Sequence, residues 1–171
     1  SLQINNISDE GIVDIITALS MFPHLKLLNL VGNGIRKNGC VALATLLQCS
    51  ATELQHLYIS DNEINDEGIE ALVPALLNCN RLKDLYISDN PSITTRGWQR
   101  LATVLEAPNL AELYIYRNNI DDEAVAAFAS ALVNNRTLQT LNLWRNFSIT
   151  AVGWQAVSKI LCNTSSVNES F

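Results

Sequence analysis

Hydrophobic and polar positions alternate in a short phrase that returns at a fixed interval along the chain. Leucine or isoleucine occupies its first, fourth and sixth positions, asparagine the ninth, and isoleucine closes it. The phrase begins at Leu25, Leu54, Leu82, Leu110 and Leu138, so successive copies are 29, 28, 28 and 28 residues apart. Apolar residues at alternate positions predict a short strand with one buried face. A fixed period of this length predicts a solenoid of stacked units.

Asparagine follows the predicted strand in every copy. We expect it to turn the chain and to bond, through its side-chain amide, the backbone of the neighbouring repeat. Five asparagines should therefore stack as a buried ladder at the edge of the sheet: Asn33, Asn62, Asn90, Asn118 and Asn146. Asn146 also begins an Asn-x-Ser/Thr sequence, and its predicted burial argues that such sequences are coincidences of an asparagine-rich chain.

Two copies carry one extra residue before the last isoleucine, and both are followed by Gly-Trp-Gln. The repeats therefore partly alternate in type. The two tryptophans, Trp98 and Trp154, align with apolar residues of the other repeats. We expect both to pack in the core rather than to stack on a ligand.

A helical pattern follows each predicted strand. Apolar residues at spacings of three and four, such as Leu43, Leu46 and Leu47, predict one inward-facing stripe. The residue after the last isoleucine is a good helix N-cap in most repeats, and acidic residues often follow where the helix dipole favours anions. The predicted caps are Ser8, Asn65, Thr94, Asp121 and Thr150. Pro74 lies inside one helical pattern and is expected to bend that helix.

Residues 1–171 are predicted to form a single array of about five full repeats with partial repeats at both ends. One period before Leu30 and Asn33 stand Leu2 and Asn5, so the chain enters within a repeat. Val167 stands about where the next phrase would begin. Because an uncapped solenoid exposes its core, we expect a fragment of a longer protein, or ends that a partner covers or that self-associate.

Composition and charge narrow the class of protein. The chain is 48% hydrophobic and 16% charged, enough for the core of one domain. A net charge of −6 argues against nucleic acid or an anionic membrane as a partner, because phosphate binding needs a basic face. The cysteines have neither metal-ligand nor disulfide-cap spacing, so we expect buried free thiols and a cytoplasmic location. They are Cys40, Cys49, Cys79 and Cys162.

The phrase Leu25-x-x-Leu28-x-Leu30-x-x-Asn33-x-Ile35, with a period near 28 and one helix per repeat, resembles the ribonuclease-inhibitor type of leucine-rich repeat. The resemblance covers almost the whole chain and implies an α/β fold: a curved solenoid, or horseshoe, with a parallel sheet on the concave face and helices on the convex face. Relatives by resemblance include ribonuclease inhibitor, the sensor arrays of innate-immune receptors and a GTPase-activating protein of the Ran cycle. Their shared task, protein binding, implies a non-enzymatic recognition module, and we expect the repeat domain of an intracellular sensor or regulator.

Residues that alternate with the buried leucines and isoleucines are predicted to project into the concavity. Parallel strands lie about 4.8 Å apart, so Tyr58, Tyr86 and Tyr114 should form a continuous column. The predicted partner-binding residues of this face are His56, Tyr58, Asp61, Asp84, Tyr86, Asp89, Glu112, Tyr114, Tyr116, Arg117, Asn142, Trp144 and Arg145.

Aromatic area and positive charge converge at the C-terminal end of this face, around Trp144 and Arg145, whereas acids occupy the middle strands. We therefore expect a protein partner with an anionic element at that end and a basic element near Asp84, Asp89 and Glu112. Tyrosine, tryptophan and arginine dominate interface energetics, and an exposed tryptophan on a sheet has no evident folding role.

Catalysis is not expected, because only His24 and His56 are available as bases at neutral pH and no nucleophile motif, P-loop or metal-ligand spacing accompanies them. No cofactor or metal is predicted either. Two alternatives stay open. One is a GTPase-activating regulator of the Ran-cycle type, for which Arg36 and Arg96 lie near the right loops but the acidic tail is missing. The other is a self-assembling structural scaffold.

Overall fold

The computed structural model describes residues 1–22, 24–48, 53–107 and 109–161, and within these ranges short strands alternate with helices. The strands are β1 (Leu27–Asn29), β2 (His56–Tyr58), β3 (Asp84–Tyr86), β4 (Glu112–Tyr114) and β5 (Thr140–Asn142). The helices are α1 (Ser8–Leu19), α2 (Lys37–Gln48), α3 (Asp66–Asn78), α4 (Thr95–Ala102), α5 (Asp122–Leu132) and α6 (Ala151–Leu161). A 3₁₀ turn, Thr103–Glu106, directly follows α4.

Successive strands pair in parallel, in the order β1-β2-β3-β4-β5. Their register places equal positions of the phrase side by side, so that Leu57 pairs with Leu85 and Leu85 with Leu113. These three leucines are buried as predicted, whereas Leu141, on the last described strand, is only half-buried. Helices pack about 8–10 Å apart and strands about 4.8 Å, so the stack bends toward the sheet. The predicted curved α/β solenoid is confirmed.

Apolar residues from strands and helices form one continuous core along the stack. Trp98 of α4 is fully buried, as its alignment with apolar positions predicts. Trp154 occupies the same column on α6 but is 39% exposed, contrary to the expectation. The reason lies in the neighbouring repeats. Helix α5 packs against α4, whereas α6 is the last helix of the described chain.

The asparagine ladder joins each repeat to the one before it. Oδ1 of Asn62 accepts hydrogen bonds from the N–H groups of Asn33 and Ile35, both at 3.0 Å. Its Nδ2 donates to the carbonyl oxygen of Leu30 in the preceding repeat at 3.1 Å and to that of Ser60 in its own at 3.0 Å. All five ladder asparagines are buried, as predicted. One side chain thus satisfies backbone donors and acceptors of two repeats.

The residue before each ladder asparagine has a left-handed backbone, which the repeat pattern does not predict. Gly32 has a φ of 69°, and the equivalent residues Asp61, Asp89, Arg117 and Arg145 have φ values of 55°, 53°, 54° and 57°. Glycine adopts this conformation freely and aspartate tolerates it, but it strains an arginine. In each repeat the residue with the left-handed backbone directly precedes the ladder asparagine.

Three helices begin with a cap from their own repeat, as predicted. The side chain of Asn65 accepts a hydrogen bond from the Gly68 N–H, and that of Asp121 accepts one from the Ala124 N–H. The Thr150 hydroxyl oxygen accepts one from the Val152 N–H at 3.2 Å. Ser8 does not act in this way, because α1 begins at Ser8 itself and no side chain caps it. Helix α3 runs unbroken through Pro74.

Helices α4 and α6 are capped by a carboxylate of the preceding repeat. Asp66 of α3 accepts hydrogen bonds from the N–H and the hydroxyl of Thr94, at 2.8 and 2.6 Å. Asp122 of α5 likewise accepts bonds from the N–H and hydroxyl of Thr150 and from the Gly153 N–H. The first-turn acids therefore do more than interact with the dipole of their own helix. They join consecutive repeats.

Glycine at the third residue of α2, α4 and α6 makes room for these carboxylates. A Cβ at Gly39 would lie 2.8 Å from Oδ1 of Asp9, whose Oδ1 accepts a hydrogen bond from the Gly39 N–H. A Cβ at Gly97 would collide with Oδ1 of Asp66. The glycine of the Gly-Trp-Gln sequence thus has a structural reason: it lets a side chain of the preceding repeat approach the helix backbone.

The described cysteines carry free thiols. Cys40 is buried and Cys79 is half-buried, while Cys49 and Cys162 lie outside the described residues. Burial, with a smaller effect from the charge of Asp9, raises the pKa of the Cys40 thiol to about 12. A thiol that stays protonated is a poor nucleophile, which fits a packing role for Cys40.

Replacing Asn90 with alanine should destabilise the fold by about 1–3 kcal/mol. The change removes the acceptor of the Ile64 N–H and the donor to the carbonyl oxygens of Ile59 and Ser88, all of which are buried bonds. Chemical denaturation measures the loss. Asn134→Ala, at an exposed position, is the matched control and should change stability far less. Equal stability of the two variants would contradict the ladder assignment.

Replacing Asp122 with asparagine should lower the melting temperature at neutral pH but not in strong acid. Hydrogen bonds from Thr150, and more weakly from the Gly153 N–H, hold the pKa of this carboxyl below its usual value. A depressed folded-state pKa contributes stability that is present above the unfolded pKa of about 3.9 and is lost as pH falls through the folded pKa.

Thermal unfolding of wild type and Asp122→Asn from neutral to strongly acidic pH tests this linkage. The control is Glu123→Gln, which removes the charge of the adjacent residue. The Glu123 carboxylate makes no hydrogen bond among the described residues. Its melting temperature should stay close to that of wild type. A difference between wild type and Asp122→Asn that persists in strong acid would show that the carboxylate charge is not the cause.

Candidate interaction surface on the concave face

The middle of the concave face carries a column of three aromatic rings, Tyr58, Tyr86 and Tyr114, called the tyrosine column below. The three residues are direct neighbours in the strand register. The rings of Tyr58 and Tyr86 are tilted, with centroids 4.4 Å apart, and those of Tyr86 and Tyr114 are stacked at 4.0 Å with an angle of 14° between them. All three side chains are half-buried. The sequence-based expectation of a continuous column agrees with this geometry.

Carboxylates surround the hydroxyl ends of the tyrosine column. The Tyr86 hydroxyl donates to Oε2 of Glu112 at 3.3 Å. Burial is the main cause that raises the Tyr86 pKa above its ordinary value, followed by a hydrogen bond with Tyr114 and by nearby charges that include Glu112. Burial and then the charges of Asp84 and Glu112 also raise the pKa of Tyr58. These two phenols therefore stay protonated and can act as hydrogen-bond donors.

His56 and Asp84 meet on adjacent strands at one side of the tyrosine column. Nδ1 of His56 lies 2.5 Å from Oδ2 of Asp84, and both residues are half-buried. Within the described ranges no group of three or more His, Cys, Asp or Glu side chains could hold a metal ion. The same part of the chain has no helix long and apolar enough to cross a membrane.

On the other side of the column, Arg117 pairs with Asp89. Its Nε lies 3.1 Å from Oδ1 of Asp89. Burial raises the pKa of Asp89, the charge of Arg117 opposes that shift, and Asp61 adds to it. Arg117 is thus engaged with an acid of its own face, whereas the sequence suggested a cation directed at the partner. Asp61 is exposed and has no ion pair among the described residues.

The C-terminal end of the face presents an exposed tryptophan. Trp144 is 54% exposed, and its ring lies 6.3 Å from that of Tyr116. The guanidinium carbon of Arg145 lies 4.2 Å from the centroid of the Trp144 ring, a cation–π contact. Asn142 turns toward its own strand, because its Oδ1 accepts a hydrogen bond from the Trp144 N–H at 3.0 Å.

Some features of the face do not follow from strand alternation. Ser60 and Ser88 are buried although alternation places them among the concave residues, and the Ser88 hydroxyl has no partner in the described part of the chain. Phe147 is not among the predicted partner-binding residues. It is 88% exposed and lines a cavity of about 400 Å³ with Trp144 and Arg145. The only sequence signal for Phe147 is that it is the first residue after the ladder asparagine in an extended repeat.

The two arginines considered for GTPase regulation are both ion-paired at the loop rim. Arg36 Nη2 lies 2.5 Å from Glu63, and Arg96 Nη2 lies 3.3 Å from Glu70. All four side chains are substantially exposed, so these pairs add little stability.

The repeat geometry defines a class of protein: a strand–helix solenoid with a leucine and isoleucine core and an asparagine ladder between repeats. The chain belongs to the leucine-rich repeat proteins, and the family described as "Leucine Rich repeat" matches residues 23–44 and 51–73. It is similar to NACHT, LRR and PYD domains-containing protein 14 of Mus musculus, with 30% identity over 178 residues, covering 85% of this chain and 18% of that protein. It is also similar to NACHT, LRR and PYD domains-containing protein 5 of Homo sapiens, with 31% identity over 130 residues, covering 75% of this chain and 11% of that protein.

The chain spans less than a fifth of the length of these two relatives. Among solved structures, that of "Leiomodin-1 Actin-Binding Site 2" matches with a TM-score of 0.70 and 18% identity, covering 90% of this chain and 87% of that one. The tropomodulin C-terminal domain of Caenorhabditis elegans matches with a TM-score of 0.65 and 14% identity, covering 90% of each chain. At these identities the likeness concerns the fold.

Replacing Tyr86 with phenylalanine should change the titration of tyrosine absorbance only at high pH, because the pKa of Tyr86 is raised. Because its folded-state pKa is raised, Tyr86 contributes stability that is present below the unfolded pKa of about 10 and is lost as pH rises toward the folded pKa. Tyrosinate absorbance should therefore coincide for variant and wild type up to about pH 10 and differ only above it. Circular dichroism at each pH monitors folding. A difference already in the ordinary range of tyrosine ionisation would mean that the column is more open than described.

Proposed function

We propose that the chain is a non-enzymatic recognition module that binds a protein partner on its concave face. The observation that carries the proposal is the exposed indole of Trp144 on the sheet, with Arg145 and Tyr116 beside it. Tryptophan, tyrosine and arginine are the residues that most often dominate interface energy. An exposed aromatic group of this size on a sheet face is a usual mark of a contact site.

The wider setting of the module is part of the same proposal. The relatives named above carry a NACHT and a PYD domain in their names, which favours the repeat part of a larger sensor or regulator with a cytoplasmic location. One structural neighbour, the leiomodin-1 fragment, is named for actin binding, an example of a protein partner for this fold. The period near 28 with one helix per repeat supports the ribonuclease-inhibitor-like subtype.

The decisive variant is Trp144→Ala. An aromatic side chain that becomes buried in the complex mainly slows dissociation. Loss of Trp144 should therefore weaken partner binding by about 2 kcal/mol or more, which is about thirtyfold in Kd. Fold stability should hardly change, because more than half of the side chain is exposed. Affinity capture with the wild-type chain identifies the partner, and calorimetry with the purified partner gives both values of Kd.

The matched control is Lys159→Ala on α6, an exposed residue of a helix on the convex side. It should bind the partner as wild type does. If Trp144→Ala and Lys159→Ala bind equally well, the concave-face proposal is wrong.

A further inference from the structure

The middle of the concave face holds more negative charge than it compensates. Four carboxylates stand on β3, β4 and the turns after β2 and β3: Asp61, Asp84, Asp89 and Glu112. Among the described residues, Arg117 pairs with Asp89, and the imidazole of His56 lies against Asp84. Asp61 and Glu112 have no ion pair among the described residues. Charge complementarity therefore favours a cationic element of the partner at this place.

The tyrosine column supplies flat aromatic area next to this charge. Tyr86 and Tyr114 stack on each other, so one face of the Tyr114 ring is covered and the other faces β5. The residue opposite Tyr114 on β5 is Asn142, whose side-chain oxygen is engaged with the Trp144 N–H. The aromatic column thus ends at a smaller side chain, beside the half-buried Glu112.

This end of the column lies inside the array rather than at its edge. Strand β4 has β3 on one side and β5 on the other, and all three are described. The partial exposure of Tyr114 and Glu112 is therefore not caused by a missing neighbour strand. Burial is the main cause that raises the pKa of Tyr58, and the charges of Asp84 and Glu112 add to it.

We propose that an arginine side chain of the protein partner binds here, stacked on the face of the Tyr114 ring that is turned away from Tyr86 and ion-paired with Glu112. The guanidinium is planar and weakly hydrated, stacks on aromatic rings and pairs with carboxylates through two parallel hydrogen bonds. One arginine therefore uses both the ring and the acid. The inference rests on the proposed concave-face function and adds the chemistry of the partner to it.

Two peptides test the arginine site without any change to the protein. Both have the same glycine–serine backbone, and one carries arginine where the other carries citrulline, a neutral side chain of the same shape. Titration into the ¹⁵N-labelled 171-residue chain should shift the amide resonances of Glu112, Tyr114 and Asn142 with the arginine peptide. The citrulline peptide should bind at least about fivefold more weakly, because it loses the cation–π contact and the ion pair.

A charge-matched pair of variants locates the effect. Glu112→Gln should weaken binding of the arginine peptide about three- to fivefold and leave the citrulline peptide unchanged. Glu123→Gln removes the same charge from an exposed position of α5 and should leave both peptides unchanged. Equal binding of the two peptides by wild type, or shifts confined to other residues, would overturn the site.

The outcome separates this inference from the proposed function. If the arginine peptide fails to bind while Trp144→Ala still releases the captured partner, the arginine site is wrong and the recognition function stands. If Trp144→Ala retains the partner and the peptide also leaves the concave resonances unchanged, both proposals fail.

Discussion

The fold depends on backbone hydrogen bonds that no single repeat can complete. At the turn after each strand, buried N–H groups need an acceptor, and the amide of the next asparagine in the ladder supplies it. An unmade bond of this kind costs more than a made one contributes, so each repeat is stable only beside its neighbours. The extra residue of the longer phrases comes after the asparagine, where it leaves strand register and ladder intact. Counted from the ladder asparagine of its own repeat, helix α4 begins one residue later than α3 does. It is followed directly by a tighter 3₁₀ turn.

The helix N-termini alternate in the way in which they are capped. Helices α3 and α5 are capped by a side chain directly before them, whereas the N-termini of α2, α4 and α6 bind a carboxylate of the preceding repeat. At α6 the hydroxyl of Thr150 contributes a further cap. The threonines before α4 and α6 contact that carboxylate, and only glycine lets it approach the helix backbone, as at Gly97. The glycine of the Gly-Trp-Gln sequence therefore permits a second connection between repeats, at the helix N-termini. Together with the ladder it fixes each repeat at two separate places.

Strands, ladder and core columns could be predicted because they depend on two periods, two residues and 28 residues, that are visible in the sequence. Features that depend on a neighbour were harder. Trp154 has the same local sequence as Trp98 but lacks a following described repeat, so their burial differs. The left-handed backbone at Arg117 could not be predicted, since arginine seldom adopts it. The ion pair of Arg117 with Asp89 could not be predicted either. Strand register shows which residues are neighbours on adjacent strands, but it does not show where long side chains point.

Several concave side chains contact one another across neighbouring repeats, as in the pairs of His56 with Asp84 and of Arg117 with Asp89. These contacts are separate from the asparagine ladder and the apolar core. Pairing within the face therefore largely determines which charged groups stay available to a partner. Asp89 and Arg117 satisfy each other, which leaves Glu112 beside the tyrosine column and Arg145 on Trp144. An ion pair within the face leaves less charge for a partner, whereas an acid without an ion pair keeps its charge available beside the half-buried ring of Tyr114. The recognition chemistry of such a solenoid is thus better inferred from the groups left over after pairing than from the list of residues along its strands.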